Sequence, residues 1–382
     1  MALTFAAFTS AAISSCTEIG EDPTIPSIPD KSVYLPLSVT PESIARLLAS
    51  IPIGLDQVKE VWSAVSASIG NGYDEEYMFS SILSTPGYGV GDKALGTRAV
   101  DYPNSLGSLI SSYASDIAAT RSGDFLSSLA ESGYQIYWPY SEDWDLNTLP
   151  IVTFAPEDRR LESNVGYERI PAADGGWSVR EVMVDENTAR RRPVWVVNSN
   201  EDASFTTPEM RSKIFPESLS TKAYDNCKSL VMKEFKAHRN YDSWFAGASE
   251  FFVKCGAVEG FNASTEAEIK LYYPSVTDLV VVVRRKNVGK SLRYNAMLVS
   301  EWSPQLEESA FLIVEDDGGK LTSWKAGGTL KVKSKSYGFE VEIPLNRNDD
   351  IVWRGKLSSS YFERFNGKAS RFGDVSVTFA FM

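Results

Sequence analysis

The segment from Asn198 to Glu209 (NSNEDASFTTPE) places oxygen-bearing side chains at loop positions 1, 3, 5 and 12, through Asn198, Asn200, Asp202 and Glu209. Hard oxygen ligands at that spacing wrap a calcium ion in EF-hand loops. Two positions depart from the pattern. Asn198 stands where Asp is usual, and Ala203 stands where a glycine makes the sharp turn. A strand-like run (193–197) precedes the segment instead of a helix, and an Asn/Asp-rich stretch after a strand also serves as an ordinary turn. Calcium is therefore a candidate ligand, and a plain turn is the alternative. The acidic runs Glu315-Asp316-Asp317 and Asp349-Asp350 carry the same ambiguity, because acidic turns beside Gly318-Gly319 occur without metal.

The stretch 137–145 (YWPYSEDWD) sets acids among aromatics. Trp138 and Trp144 are candidate glycan contacts, since sugar rings stack on aromatic faces. Glycosidases need two carboxylates about 5–10 Å apart, and adjacency in sequence does not fix that distance. A loop anchored by its two tryptophans is the plainer expectation. His238 is the single histidine, so a zinc site built from several histidines is excluded, and a Ser–His or Cys–His pair could use only this residue. Gly89-Val-Gly91-Asp-Lys-Ala94 matches a dinucleotide fingerprint in letters only, because a helical segment and Pro86-Gly87 precede it where a strand is required. Cys227 and Cys255 are candidates for a disulfide or for two free thiols. No motif commits the chain to catalysis. A carboxylate-dependent hydrolase of extracellular glycans and a calcium-stabilised β module remain alternatives to a binding protein.

The net charge is −12, and it is uneven: residues 1–224 carry 16 Lys+Arg against 30 Asp+Glu, residues 225–382 carry 22 against 20. An acidic chain repels phosphate backbones, so nucleic acid is not an expected partner. The change of balance suggests a boundary near residue 220. With 382 residues and 43% hydrophobic content, the chain can bury two or three cores.

Residues 2–14 are uncharged and mostly small or apolar, too short for a bilayer span and the right length for a signal-peptide core. They end in Ile13-Ser14-Ser15-Cys16, which resembles the lipobox of bacterial lipoproteins, although a basic leader is missing. The resemblance implies a diacylglycerol on Cys16. Residues 17–35 then read as an acidic, proline-rich tether, which would hold the body at a membrane surface without inserting it.

Helical signals fill 36–133. Thr40-Pro41-Glu42 provides a cap, a proline at the first position and an early acid, followed by Ile44, Leu47 and Leu48 at helical spacing. Val58, Val61, Trp62 and Val65 form a second stripe, stopped at Gly70-Asn71-Gly72. Further helices are expected over 74–83, 106–119 and 124–131. Strand-like runs separated by polar loops mark 134–215, either an extension of the helical domain or a small sheet of its own. From 222 to 382 the chain reads as β-branched and aromatic strands, including 271–273, 279–285, 293–302, 310–314 and 375–381, with alternating runs at 330–335 and 339–345. The expected fold class is α+β multidomain: an N-terminal short-helix domain (36–215) followed by a C-terminal antiparallel β-sandwich (222–382).

The lipobox-like ISSC, with Tyr137-Trp-Pro-Tyr-Ser-Glu-Asp-Trp144 and the run 237–251 (AHRNYDSWFAGASEF), resembles exported lipoproteins of Bacteroidetes-type bacteria, a group without an assigned activity. The resemblance covers about residues 130–382. It implies a lipid-anchored protein of the cell envelope, at the outer membrane or cell surface, with a glycan or surface-protein ligand. The C-terminal strand series also looks like a C2-type sandwich.

Overall fold

The computed structural model describes residues 38–84, 104–118, 122–200 (except 159 and 174), 207–210, 227–315 (except 263, 270, 273 and 274) and 350–382. Cys16, Asp202, the glycine motif at 89–94 and the alternating runs at 330–345 lie outside them. The fold class is α+β, with helices concentrated in the N-terminal half and antiparallel sheets in the C-terminal half.

Helix α1 (Pro41–Ser50) starts where the capping residues require. The Thr40 hydroxyl accepts from the Ser43 amide at 3.2 Å, and the Ser43 hydroxyl accepts from the Thr40 amide at 2.9 Å. Helix α2 (Leu55–Gly70) buries Val58, Val61, Ala64 and Val65 on one stripe. The run after Asp74 is not one helix. Strand β1 (Glu76–Met78) precedes α3 (Phe79–Ser84), because pairing with β2 (Tyr134–Tyr137) captures Glu76, Tyr77 and Met78. Helices α4 (Leu106–Ala118) and α5 (Ser122–Ala130) follow.

The stretch after 134 belongs to a mixed sheet with β1. Strands β3 (Ile151–Phe154), β4 (Ser163–Pro171), β5 (Trp177–Asp185) and β6 (Val194–Ser199) give the order β1-β2-β6-β3-β4-β5, in which β3 and β6 run parallel. Its helix-facing side shares one core with α1 and α2 through Ile44, Leu48, Val58, Val61, Ile136, Tyr167, Trp195 and Val197. Arg169 on β4 donates to the carbonyls of Ile53 (2.6 Å), Leu48 (3.2 Å) and Ala49 (3.3 Å), which satisfies the carbonyls left open past the end of α1. Burial lowers its pKa to about 10.

Where α4 meets α3, a Cβ on Gly107 would lie 2.0 Å from the Ile82 carbonyl oxygen, so only glycine permits the approach. Gly107→Ala is expected to cost about 2 kcal/mol through overpacking against backbone. Urea denaturation measures it, and an unchanged midpoint would contradict the close approach.

The C-terminal half is a sandwich of two four-stranded antiparallel sheets. One holds β7 (Lys228–Ala237), β10 (Leu292–Trp302), β13 (Ala369–Phe372) and β14 (Val375–Phe381), in the order β10-β7-β14-β13. The other holds β8 (Ser249–Ala257), β9 (Ser275–Val283), β11 (Glu308–Glu315) and β12 (Asp350–Ser358), in the order β12-β11-β8-β9. A continuous core of aromatics and β-branched residues, including Phe235, Phe251, Trp302, Phe311, Phe362 and Phe379, fills the space between them. Leu271 lies in a turn and Tyr272 in no strand, which corrects the strand expected to begin at 271, while Tyr273 lies outside the described residues. Cys227 and Cys255 are free thiols, and burial pushes Cys255 up to about 12. No helix among the described residues is long and apolar enough to cross a membrane.

Candidate functional site

The densest set of ionisable groups lies where the mixed sheet meets the sandwich. The turn after α2 delivers Asp74 and Glu75, each only 3% exposed. Asp74 Oδ2 accepts from the Ala248 amide at 2.9 Å, and Glu75 Oε1 accepts from the Tyr140 amide at 3.2 Å. Gly247, at φ +130, permits the first contact, because a Cβ there would stand 2.6 Å from Asp74 Oδ2.

From the sandwich side, the connection between β9 and β10 contributes three successive cations. Arg284 Nη1 lies 3.3 Å from Glu142 and 3.6 Å from Glu75. Lys286 pairs with the same Glu142 oxygen. Arg285 reaches Glu186 with Nε at 3.1 Å and Nη2 at 3.4 Å, and donates to the Asp242 carbonyl at 3.0 Å. The Tyr140 hydroxyl donates to Glu186 at 2.5 Å, and the Arg190 guanidinium lies 4.6 Å from the Tyr140 ring centre. Tyr140 itself adopts φ +60, a conformation costly for a bulky side chain and held by these contacts.

An apolar patch completes the junction. Trp244 and Phe245 are fully buried against Tyr137, Ile151, Val184, Val194 and Val196. Trp244 Nε1 donates to the Glu162 carbonyl at 2.9 Å.

Burial raises the pKa of Glu75 to about 8, helped by the neighbouring charge of Asp74 and opposed by Arg284 and Lys286. Asp74 is raised by burial too, against the Ala248 hydrogen bond and the two arginines. Burial also pushes Glu186 upward, but the hydrogen bonds from Arg285 and Tyr140 outweigh it and hold this carboxyl below its ordinary value. The buried pair can thus hold a proton at neutral pH while Glu186 stays ionised. Neither Asp74 nor Glu75 offers a substrate a path from solvent. A cavity of about 10 Å³, lined by Leu48, Ile53, Leu149, Val152, Tyr167 and Arg169 among others, contains none of the junction groups and is far smaller than a ligand pocket.

Of the candidate calcium ligands, Asn198, Asn200 and Glu209 are among the described residues and Asp202 is not. Asn198 Nδ2 donates to the carbonyls of Phe245 (3.1 Å) and Ala246 (2.7 Å), so its amide ties β6 to the sandwich. Asn200 Nδ2 donates to Glu76 (2.8 Å) and Gln135 (2.7 Å). The Glu209 carboxylate lies against Gly72. Asn198 and Asn200 thus turn their amide nitrogens to different partners. Among the described residues no group of three or more His, Cys, Asp or Glu is placed to hold a metal ion.

Trp138 and Trp144 are core residues, which corrects the expectation of a glycan platform. Their ring centres are 5.4 Å apart, with Trp195 6.0 Å from Trp138 and Trp62 6.4 Å from Trp144. Both tryptophans are at most 8% exposed, so their faces serve one another and not a sugar.

His238 Nε2 lies 2.8 Å from Ser376 Oγ across β7 and β14. Asp374 is committed to Arg239 at 2.8 Å and Arg371 at 3.7 Å. Among the described residues no carboxylate is hydrogen-bonded to the imidazole, so the pair lacks there the group that fixes the tautomer in a triad.

In the sequence Asp74-Glu75 reads as a helix start, Arg284-Arg285 as the end of a strand and Lys286 as the opening of a turn, so none of them stands out. The charge imbalance between the two halves was the one signal, since an acidic N-terminal half meets the cations of the other half here. No protein-family model, curated protein or solved structure matches this chain.

Proposed function

We propose that this protein is a lipid-anchored component of the bacterial cell envelope, held at the outer membrane or cell surface through Cys16, whose β-sandwich binds or scaffolds a glycan or a neighbouring surface protein. The observation that supports this reading is the junction. Its carboxylates and cations are spent on each other, and they fix the sandwich to the mixed sheet. A rigid sandwich on a tethered body is suited to presenting a surface to a partner.

Metabolic palmitate labelling of the full-length protein and its Cys16→Ser variant, with membrane fractionation, tests the anchor. Label and membrane association are expected in the native protein and not in the variant. An unlabelled, soluble native protein sinks the reading. A glycan array and surface cross-linking that both return no ligand count against the binding role.

The second reading is a carboxylate-dependent hydrolase of extracellular glycans. What favours it is Glu75, a buried acid that shares Arg284 with Glu142, and the reading requires the enclosure around Glu75 to open for a glycan. Glycan turnover abolished by Glu75→Gln in a folded protein would decide for it.

A further inference from the structure

The mixed sheet ends on β5, whose outer edge pairs with no strand among the described residues. The opposite edge is the three-residue β1, whereas β5 runs nine residues. Exposed sheet edges of that length carry unpaired amides and carbonyls that can template another strand. The two faces of β5 differ in chemistry. Register with β4 places Trp177, Val179, Glu181 and Met183 on the side of α1, where Trp177 is 40% and Met183 67% exposed. The Arg169 guanidinium stacks on the Trp177 ring at 4.6 Å, which holds the indole beside the edge.

The other face is arginine-rich. Glu168 binds Arg180 at 2.5 Å and Arg192 at 2.6 Å, while Glu186 binds Arg190 at 2.8 Å. Arg191 is exposed, its Nε donates to the Asn187 carbonyl, and its charge acts on Asp185 at the end of β5. The acids lie beneath the arginines: the Glu168 side chain is 13% exposed against 55% for Arg180. In each of these pairs the arginine is the more exposed partner, on a chain whose net charge is −12.

We propose that the outer edge of β5 is a docking site for an extended acidic segment of a partner protein, added to the sheet as a seventh strand. Main-chain hydrogen bonds to β5 supply affinity, and alternation supplies selectivity. Apolar side chains of the incoming strand meet Val179, Trp177 and Met183, while its acids meet Arg180, Arg191 and Arg192. The free edge of β5 belongs to the mixed sheet and not to a sandwich strand, although Val184 and Glu186 beside it take part in the junction with the sandwich.

The test uses the full-length protein and a fluorescent acetylated peptide of alternating valine and glutamate. Anisotropy reads binding, and hydrogen exchange reads protection of β5 amides. The acidic peptide is expected to bind at least about tenfold more tightly than its valine–lysine counterpart. Interrupting it with proline should abolish binding, and added salt should weaken it. Arg191→Glu and Met183→Asp, both at exposed side chains, should each weaken binding; Arg180→Glu is the stronger variant if it folds. Equal binding of the acidic and basic peptides, no binding, tolerance of proline, or binding without protection of β5 overturns the proposal. So does binding to anionic phosphatidylglycerol vesicles in place of the peptide. Each of these leaves the palmitate and sandwich-ligand outcomes to be read independently.

Discussion

Trp138→Ala is expected to destabilise the protein by about 4 kcal/mol, in the range of large aromatic truncations in a packed core. Trp138 is 1% exposed and sits between Trp144 and Trp195, with ring centres at 5.4 and 6.0 Å. Its removal opens a void and loses two edge-to-face contacts. The void cannot collapse easily, because β2 and β6 are pinned by the register Ile136↔Val197 and Tyr137↔Val196. The amide of Trp138 also donates to the Glu75 carbonyl at 2.8 Å, so damage here reaches the charged turn. Urea denaturation followed by tryptophan fluorescence gives the number. A glycan platform would behave oppositely: the variant would keep its stability and lose sugar binding. A change below about 1 kcal/mol would move Trp138 out of the core.

The second large effect concerns pH. Glu75 holds its proton to about pH 8 in the fold, against an ordinary value of 4.5. Below pH 4.5 the folded and unfolded chains are both protonated at this site, and it costs nothing. Between 4.5 and 8 the unfolded chain has released the proton while the fold retains it, so stability falls as pH rises. Above 8 the penalty is complete, on the order of 5 kcal/mol for a buried group shifted that far. The groups facing it are Asp74, Arg284, Lys286 and the Tyr140 amide, and Asp74 is also raised, which adds to the same slope. Glu75→Gln keeps an oxygen acceptor for the Tyr140 amide and removes the titration. The variant should lose less stability than the parent between pH 5 and pH 9, with the gap widening through that window. Unfolding curves collected across it are the check, and parallel pH profiles for the two proteins would show that Glu75 ionises freely in the fold.

The sequence carried the local elements well where one signal dominated. Thr40-Pro41, with Ile44, Leu47 and Leu48 at helical spacing, is legible as α1 because capping and amphipathic period act within a few residues. The strand character of β10, β11 and β14 is legible for the same reason. Four strands of the six-stranded sheet, β2, β3, β5 and β6, are legible as apolar runs; β1 and β4 are not, and in β4 (SNVGYERIP) charged residues interrupt the alternation. The segment after Asp74 misled the helical reading, because pairing with β2 overrides the local preference of Glu76–Met78.

What the amino-acid order determined by itself is the fold class, the helical N-terminal half, the stranded C-terminal half and the acidic balance. Each of these is a property of neighbouring residues or of simple sums. Tertiary structure decided which groups are chemistry and which are core. The burial of Trp138 and Trp144, the diversion of Asn198 to the carbonyls of Phe245 and Ala246, and the placing of Arg284 on Glu75 all depend on packing. Arg284 and Glu75 are brought together from distant parts of the sequence, and the raised pKa of Glu75 follows from the burial and the neighbouring Asp74 charge at that junction, which Arg284 only partly offsets. Periodicity acts over a few residues and survives in the sequence, whereas desolvation is a property of the surroundings that the folded chain creates.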